Sequence, residues 1–277
     1  MSFHSQIDLW FYPLKTLDNS ESTIAYLRSW LSEAELEKVA RYRLQSRQLE
    51  ALYVRACLRF VLSQYASLKP AEWKFEHGSK GKPRLESALQ TKFKLLFNLS
   101  HSGEHLVIAV TKAESGAICL GVDVECLRAD TDIDSILNHY FSRQEASALK
   151  QLPLNQQRER FFDLWVLKEA YIKAVGQGLA RSLKSFGFDF SSASKHQLAS
   201  LSDEKQPLGS SLFSAPILYR AIPLLRGEGN SEQWQCCLGH LDSQYRFAVA
   251  LGGGSGDVNL NASWLSQSQL VQDKPSD

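Results

Sequence analysis

The sequence lacks the features that mark membrane-spanning, secreted and nucleic-acid-binding chains. No stretch approaches the roughly 20 consecutive apolar residues of a membrane span. The N-terminus has no basic segment followed by a long apolar run, so we expect neither a signal peptide nor membrane association. The 31 Lys and Arg residues balance 30 Asp and Glu residues. A nucleic-acid binder should carry a basic excess, so nucleic acid is not an expected partner.

Paired cysteines are also lacking. The chain has five cysteines, an odd number, and they include no C-x-x-C pair. This pattern argues against a disulfide framework and against a zinc site, and it fits a reducing compartment. We therefore expect a cytoplasmic protein.

Hydrophobic patterning predicts alternating strands and helices in the first half of the chain. The first 14 or so residues alternate as a strand that ends at Pro13. Residues 23–67 are helix-rich, and residues 93–111 predict two strands joined by a polar turn at 101–105. The first half is therefore α+β.

The second half repeats this mixture. Ser142 opens a capping box, which predicts a helix towards Leu152, and a long amphipathic helix is predicted over 156–175. The segments 215–222, 233–241 and 245–251 are typical of strands. The tail from Gly252 shows little periodicity and predicts a flexible extension.

Two segments align without a gap: LSHSGEHLVIAV at 99–110 and LGHLDSQYRFAV at 238–249, with four identities in twelve positions. If this similarity reflects duplication, the chain consists of two copies of one α+β unit with a cleft between them.

Two carboxylates interrupt the apolar segment CLGVDVEC. Strand side chains alternate between faces, so Asp123 and Glu125 point the same way and Val122 and Val124 point the other way. Both acids could face solvent on an edge strand. Alternatively, carboxylates at this spacing can converge on Mg²⁺, which prefers oxygen ligands.

The predicted helix FFDLWVLKEAYIKAVGQGL carries the second group of ions. Glu169 and Lys173 have the i,i+4 spacing of an ordinary pair on a solvated helix face. However, Lys168, Glu169 and Lys173 are the only charges from Leu164 to Gly176, and they lie among aromatic residues. This concentration of charged side chains beside aromatic residues favours a functional site over a solvated helix face.

Two further motifs lie in predicted turns. Ser100 and His101, at the end of a strand, suit phosphate oxygens, although a histidine in a turn is more often a surface residue. The basic turn GSKGKP, which contains Lys82, does not have the spacing of a Walker phosphate-binding loop.

Taken in order, G-K-P, F-N-x-S-H, G-V-D-V-E and F-x-x-x-W-x-x-K-E-x-x-x-K resemble the 4′-phosphopantetheinyl transferases. The similarity is to the larger, pseudo-dimeric type that activates surfactin synthetase, and it covers most of the chain up to the tail. It implies transfer of 4′-phosphopantetheine from coenzyme A to a serine of an apo acyl, peptidyl or polyketide carrier protein, with release of adenosine 3′,5′-bisphosphate.

The resemblance also implies a role for each matching residue. Asp123, Glu125 and Glu169 would hold Mg²⁺, and Glu169 would also be the general base. Lys173 would stabilise the departing phosphate. The remaining residues would bind coenzyme A: Lys168 and His101 at phosphate oxygens with Ser100 beside them, Lys82 at the nucleotide, and Arg47 and Arg55 at the 3′-phosphate.

The fold implied by the resemblance is α+β, with two similar subdomains in a pseudo-twofold arrangement and the active site in the cleft between them. We therefore expect an N-terminal subdomain at 1–115, a C-terminal subdomain at 116–251, a flexible extension at 252–277 and a monomeric state. Two alternatives stay open: another Mg²⁺-dependent enzyme acting on a phosphoanhydride, and a non-catalytic homologue that binds carrier proteins.

Overall fold

The structure is a computed structural model, and it describes residues 5–78, 80–113, 118–176, 182–200, 218–224, 234–253 and 258–275. Within these ranges, no helix is both long enough and apolar enough to cross a membrane. The architecture mixes helices and sheets, as the sequence predicts.

Strands make up much of the described chain. They are β1 (Ser5–Pro13), β2 (Phe75–His77), β3 (Pro83–Leu85), β4 (Leu95–Ser102), β5 (His105–Lys112), β6 (Cys119–Cys126), β7 (Ser194–Gln197), β8 (Ala199–Ser200), β9 (Leu218–Ala221), β10 (Trp234–His240), β11 (Tyr245–Gly252) and β12 (Val258–Trp264). The predicted strand at 215–222 is described only from residue 218, so its first three residues lie outside the described chain.

The helices begin and end largely where local signals place them. They are α1 (Glu21–Arg28), α2 (Glu33–Ala40), α3 (Gln45–Ser63), α4 (Ser87–Phe93), α5 (Ile133–Tyr140), α6 (Arg143–Lys150), α7 (Leu154–Val175) and α8 (Gln267–Leu270). The Ser142 hydroxyl and the Glu145 carboxylate form the predicted capping box of α6. Helix α7 starts directly after Pro153, two residues earlier than predicted, and ends at Gly176 with a left-handed φ of 75°.

Two five-stranded sheets organise the molecule. One has the order β4-β5-β1-β12-β8 and the other the order β6-β11-β10-β9-β7, while β2 and β3 form a separate ribbon. Each large sheet contains an antiparallel hairpin, β4-β5 in the first sheet and β10-β11 in the second. The second strand of each hairpin pairs with an earlier strand of the chain: β5 pairs with β1, and β11 pairs with β6.

The sheets pack face to face and helices cover their outer faces. Ile7, Leu9 and Phe11 from β1 meet Val122 and Val124 from β6 in the core between the sheets. On the outer faces, α3 packs on the first sheet and α7 on the second. Both faces of the central strands are therefore buried, and this arrangement yields three hydrophobic clusters.

The predicted turn at 101–105 was too long. Strand β4 continues through Ser102 and β5 begins at His105, which leaves Gly103 and Glu104 as the connection. Gly103 has a left-handed φ of 55°, which glycine adopts at little cost. His101 consequently lies on a strand rather than in a loop.

The prediction of a flexible extension at 252–277 was wrong. Strand β12 lies between β1 and β8, and Val258, Leu260 and Ala262 are buried. The segment VNLNASW alternates apolar and polar residues, which is the signature of a strand buried on one face. Asn261 also donates a 3.1 Å hydrogen bond to the Asp8 carboxylate.

The predicted division into subdomains at 1–115 and 116–251 must also be corrected, because the first sheet includes strands from the later part of the chain. The chain passes from the first sheet to the second between Lys112 and Cys119. However, β8 and β12 return to the first sheet from the later part of the sequence. The two units are therefore not separate in sequence, because hydrogen bonds between strands tie the C-terminal segment to β1.

Candidate active site

Strand β6 presents Asp123 and Glu125 on the face that meets helix α7. Gly121 lies on the same face, and a Cβ atom there would be 2.0 Å from the Ala170 carbonyl oxygen. The absence of a side chain at Gly121 thus lets α7 approach the strand closely. Val122 and Val124 point into the core between the sheets, as the alternation predicts.

Strand β4 supplies a ladder of polar side chains to the same face of β6. The Asn98 side-chain oxygen accepts a 2.8 Å hydrogen bond from the Val122 amide. The Ser100 hydroxyl donates to Asp123 Oδ1 at 2.7 Å, and the Ser102 hydroxyl donates to Glu125 Oε2 at 2.9 Å.

Neither Asn98 nor Ser102 was singled out from the sequence. The signal was present, because residues 98, 100 and 102 share one face of a strand once the turn is correctly placed.

Helix α7 brings Glu169 and Lys173 to this surface. Lys173 Nζ lies 2.7 Å from Asp123 Oδ1 and donates a 2.7 Å hydrogen bond to the Ser100 hydroxyl. Both α7 residues line a cavity of about 290 Å³, together with Asn98, Lys82 and neighbouring residues. Glu169 and Lys173 therefore do not lie on an ordinary solvated helix face, which was the alternative interpretation of their spacing.

Three carboxyl groups at this surface have raised pKa values. Burial raises the pKa of Asp123, and the Lys173 ammonium and the Ser100 hydroxyl oppose the rise. Burial and then the Asp123 charge raise the pKa of Glu125. Burial, reinforced by Asp123, raises the pKa of Glu169 to about 7. The negative charge here exceeds what Lys173 neutralises.

The three acids do not form a closed metal site by themselves. Across the described ranges, no group of three or more His, Cys, Asp and Glu side chains has an arrangement that holds a metal ion. Two features nevertheless suit a hard cation with oxygen ligands. Asp123 Oδ2 is buried and has no hydrogen-bond partner in the described chain, and Asp123 and Glu125 both raise the pKa of Glu169.

His101 is connected to helix α3. Its Nδ1 lies 3.1 Å from Glu50 Oε1, and Glu50 Oε2 lies 2.6 Å from Arg47 Nη1. Arg55 instead donates to the Ala51 carbonyl within its own helix at 2.8 Å. The sequence predictions missed Glu50, although its i,i+3 spacing from Arg47 on a helix was a usable signal.

Lys82 reaches from the basic turn to the second sheet and its helix. Its ammonium donates to the Leu120 carbonyl at 2.8 Å and to the Ala174 carbonyl at 3.3 Å. Burial lowers the pKa of Lys82 to about 8. The side chain therefore joins the turn to β6 and to the last turn of α7.

The structure contradicts the predicted phosphate-binding role of Lys168. The side chain is fully buried, and its ammonium lies 2.9 Å from Glu145 Oε2. It also donates hydrogen bonds to the Leu183 and Phe186 carbonyls. Successive helix positions lie about 100° apart, so Lys168 points into the protein core while Glu169 faces the cavity.

Two family models match this chain. Residues 119–250 match the model of the 4′-phosphopantetheinyl transferase superfamily, and residues 16–113 match that of the 4′-phosphopantetheinyl transferase N-terminal region. The acids on β6 and α7 fall in the first match, and Arg47, Lys82 and His101 fall in the second.

Curated relatives carry the same family name. The 4′-phosphopantetheinyl transferase HetI of Nostoc sp. is 35% identical over 176 residues, which cover 64% of this chain and 71% of HetI. The 4′-phosphopantetheinyl transferase psf-1 of Bacillus pumilus is 31% identical over 176 residues, covering 62% of this chain and 70% of psf-1. A putative 4′-phosphopantetheinyl transferase of Synechocystis sp. is 29% identical over 55% of this chain and 60% of its own length. The chain belongs to the 4′-phosphopantetheinyl transferase family.

Proposed function

We propose that this protein transfers 4′-phosphopantetheine from coenzyme A to a serine of an apo acyl, peptidyl or polyketide carrier protein, in an Mg²⁺-dependent reaction that releases adenosine 3′,5′-bisphosphate. The observation that carries the proposal is the convergence of acids from β6 and α7 with Lys173 and Ser100 beside one cavity. Family membership supports the same reaction.

Glu169 is suited to take the proton from the carrier serine. A general base works best when its pKa lies near the working pH, and in the metal-free protein burial with two neighbouring carboxylates raises the pKa of Glu169 to about 7. A serine hydroxyl is a poor nucleophile until its proton is accepted. Glu169 is therefore the proposed general base.

Asp123, Glu125 and Glu169 are the residues that would hold Mg²⁺. The partnerless Asp123 Oδ2 and the raised pKa values of all three carboxyl groups support this assignment, since a bound cation would favour their ionised forms. When bound, Mg²⁺ would supply neutralisation of charge at the pyrophosphate of coenzyme A.

The cationic side chains would hold the nucleotide. Lys173 places a partly exposed positive charge beside Asp123 and can stabilise charge on the departing phosphate. Lys82 and Lys173 line one cavity, and His101 is linked to Arg47 on α3 through Glu50. Arg55 stays a proposed ligand of the 3′-phosphate.

We also propose the finer architecture implied by the family. The two sheets share a strand arrangement, a hairpin followed by an earlier strand: β4-β5-β1 in one sheet and β10-β11-β6 in the other. This repetition supports a pseudo-twofold duplication with the active site between the halves. The two aligned histidines also have similar partners. His101 pairs with Glu50 on helix α3, and His240 pairs with Asp163 on helix α7. A cytoplasmic location and a monomeric state stay proposals, and the five unpaired cysteines are consistent with a reducing compartment.

The decisive experiment is a mass-spectrometric screen of apo carrier proteins incubated with the protein, coenzyme A and Mg²⁺. We expect a carrier to gain the mass of phosphopantetheine at its serine, and a carrier with that serine changed to alanine to gain nothing. EDTA should suppress the gain.

Two other outcomes would point to the alternatives. Release of adenosine 3′,5′-bisphosphate without a carrier would indicate a different reaction at a phosphoanhydride. Carrier binding with no mass gain on any carrier would indicate a non-catalytic homologue.

A further inference from the structure

Glu50 links two side chains, Arg47 and His101, that the proposed function assigns to the nucleotide. Its carboxylate uses one oxygen for each partner: Oε2 for Arg47 Nη1 at 2.6 Å and Oε1 for His101 Nδ1 at 3.1 Å. The Glu50 side chain is only 15% exposed, whereas Arg47 and His101 are 60% and 44% exposed. A sheltered carboxylate thus holds a guanidinium and an imidazole ring that solvent can reach.

The bond to Glu50 determines which nitrogen of His101 is available to a ligand. When Nδ1–H donates to the carboxylate, Nε2 is the nitrogen left for a ligand. Nε2 can donate to an anion only when it carries a proton, that is, when the ring is the imidazolium. Phosphate binding by His101 is therefore coupled to uptake of a proton.

The surroundings of His101 make Glu50 important for that proton. Burial lowers the pKa of His101, and the Lys173 charge from α7 and the Arg47 charge from α3 lower it further. The Glu50 carboxylate acts in the opposite direction and raises the pKa. Without Glu50, the imidazolium would be opposed by burial and two cations.

Glu50 could also have the opposite effect on nucleotide binding. A carboxylate between two cations could compete with phosphate for them and weaken nucleotide binding. The geometry argues against this, because Glu50 occupies Nδ1 and one guanidinium nitrogen and leaves His101 Nε2 and the remaining donors of Arg47 free for a second anion. Its low exposure places it behind the two cations.

We propose that Glu50 is a positioning residue that orients Arg47 and His101 together towards the phosphomonoester of the nucleotide co-substrate. The inference rests on the proposed function, since that function assigns both cations to coenzyme A. Glu50 itself need not touch the nucleotide. Its influence passes through the His101 ring and the Arg47 guanidinium.

Calorimetric binding of adenosine 3′,5′-bisphosphate and adenosine 5′-phosphate tests the proposal without catalysis. At pH 7.5, Glu50→Gln should weaken binding of the bisphosphate about tenfold, because charge-assisted hydrogen bonds from the two cations are weakened. Binding of the monophosphate, which lacks the 3′-phosphate, should change less than about twofold. The matched control is Glu37→Gln, which removes the same charge from an exposed position on α2.

The pH dependence separates positioning from a general loss of structure. The defect of Glu50→Gln should shrink as the pH falls and His101 becomes protonated in both proteins, and it should widen as the pH rises. In a His101→Asn background, Glu50→Gln should have a smaller effect, because one of the two groups it acts through is gone. Tighter bisphosphate binding by Glu50→Gln would overturn the proposal, as would an equal loss for both nucleotides.

A transfer assay distinguishes this proposal from the proposed function. With coenzyme A as donor, Glu50→Gln should raise KM and leave kcat nearly unchanged, and with dephospho-coenzyme A the two proteins should have similar KM values. If the wild-type protein binds the bisphosphate but transfers nothing, the proposed function fails while the role of Glu50 in binding stands. If transfer is intact and KM is unchanged for both donors, the role of Glu50 fails alone.

Discussion

Two lysines on helix α7, five residues apart, show how one sequence motif serves two purposes. Lys168 is fully buried, and its three N–H donors meet Glu145 and the carbonyls of Leu183 and Phe186. Lys173 is 30% exposed, and its ammonium contacts Asp123 and Ser100 beside the cavity. The first lysine has every donor occupied, whereas the second has two partners and access to solvent.

The difference teaches that an ion pair alone does not mark an active site. Lys168 and Glu145 join three segments: α6 through its cap, α7, and the turn at 183–186. Lys173 and Asp123 share their surroundings with two further carboxyl groups of raised pKa. Uncompensated charge, rather than pairing, distinguishes the candidate site.

The largest expected effect comes from breaking the buried pair. Lys168→Met should lower the free energy of unfolding by about 3–5 kcal/mol, because Glu145 would stay buried without its cation. Urea denaturation measures this loss. Lys150→Met, at an exposed lysine on α6, is the matched control and should change stability by less than about 0.5 kcal/mol.

A double variant sharpens the interpretation. Adding Glu145→Gln to Lys168→Met removes the unpaired charge and should recover part of the lost stability. If Lys168→Met were instead fully stable but unable to bind coenzyme A, Lys168 would be a ligand after all and the contrast with Lys173 would disappear.

On the other face of α7, Glu169→Gln should leave the protein folded but lower the transfer rate by about 10²–10⁴-fold, the usual contribution of a general base. Single-turnover transfer to a carrier measures the rate, and thermal unfolding checks the fold. Turnover like that of the wild type would remove Glu169 from the chemistry.

A smaller effect concerns stability and pH in the absence of divalent metal. The folded-state pKa of Glu169 is raised to about 7 from its ordinary value of 4.5, so the folded protein binds a proton more tightly than the unfolded chain. The contribution of Glu169 to wild-type stability should therefore fall as the pH rises from about 4.5 through about 7. Glu169→Gln lacks this titration and should gain about 1–2 kcal/mol relative to wild type by pH 8.

Urea denaturation in EDTA across this pH range checks the difference between the two proteins. Added Mg²⁺ should reduce or reverse the advantage of the variant, since it would stabilise the ionised carboxylates of the wild type. A difference that does not change with pH would contradict the raised pKa of Glu169.

Several features of the site were predictable from sequence because they depend on local geometry. Alternation on a strand places Asp123 and Glu125 on one face whatever surrounds them. The capping box at Ser142 and the end of α7 at Gly176 are likewise local. These predictions needed no knowledge of distant segments.

The main failures involve partners that are distant in sequence, whereas the length of the turn at 101–105 was a local error. The helical repeat predicts that the side chains of Lys168 and Glu169 point in different directions. Which of the two directions is buried depends on the packing of α6 and of residues 183–186 against α7. Strand β12 was overlooked although it alternates, because its partner β1 is about 250 residues away. Glu50 acquires its role from His101 on another element.

The residue types of the site, their spacing along each element and the family could all be read from the sequence, because side-chain chemistry and backbone periodicity are properties of short segments. Three features became visible in the folded protein alone: Ser100 and Lys173 share one oxygen of Asp123, Lys168 is buried, and the C-terminal segment completes the first sheet. The physical reason is that burial and charge compensation depend on which distant elements come into contact.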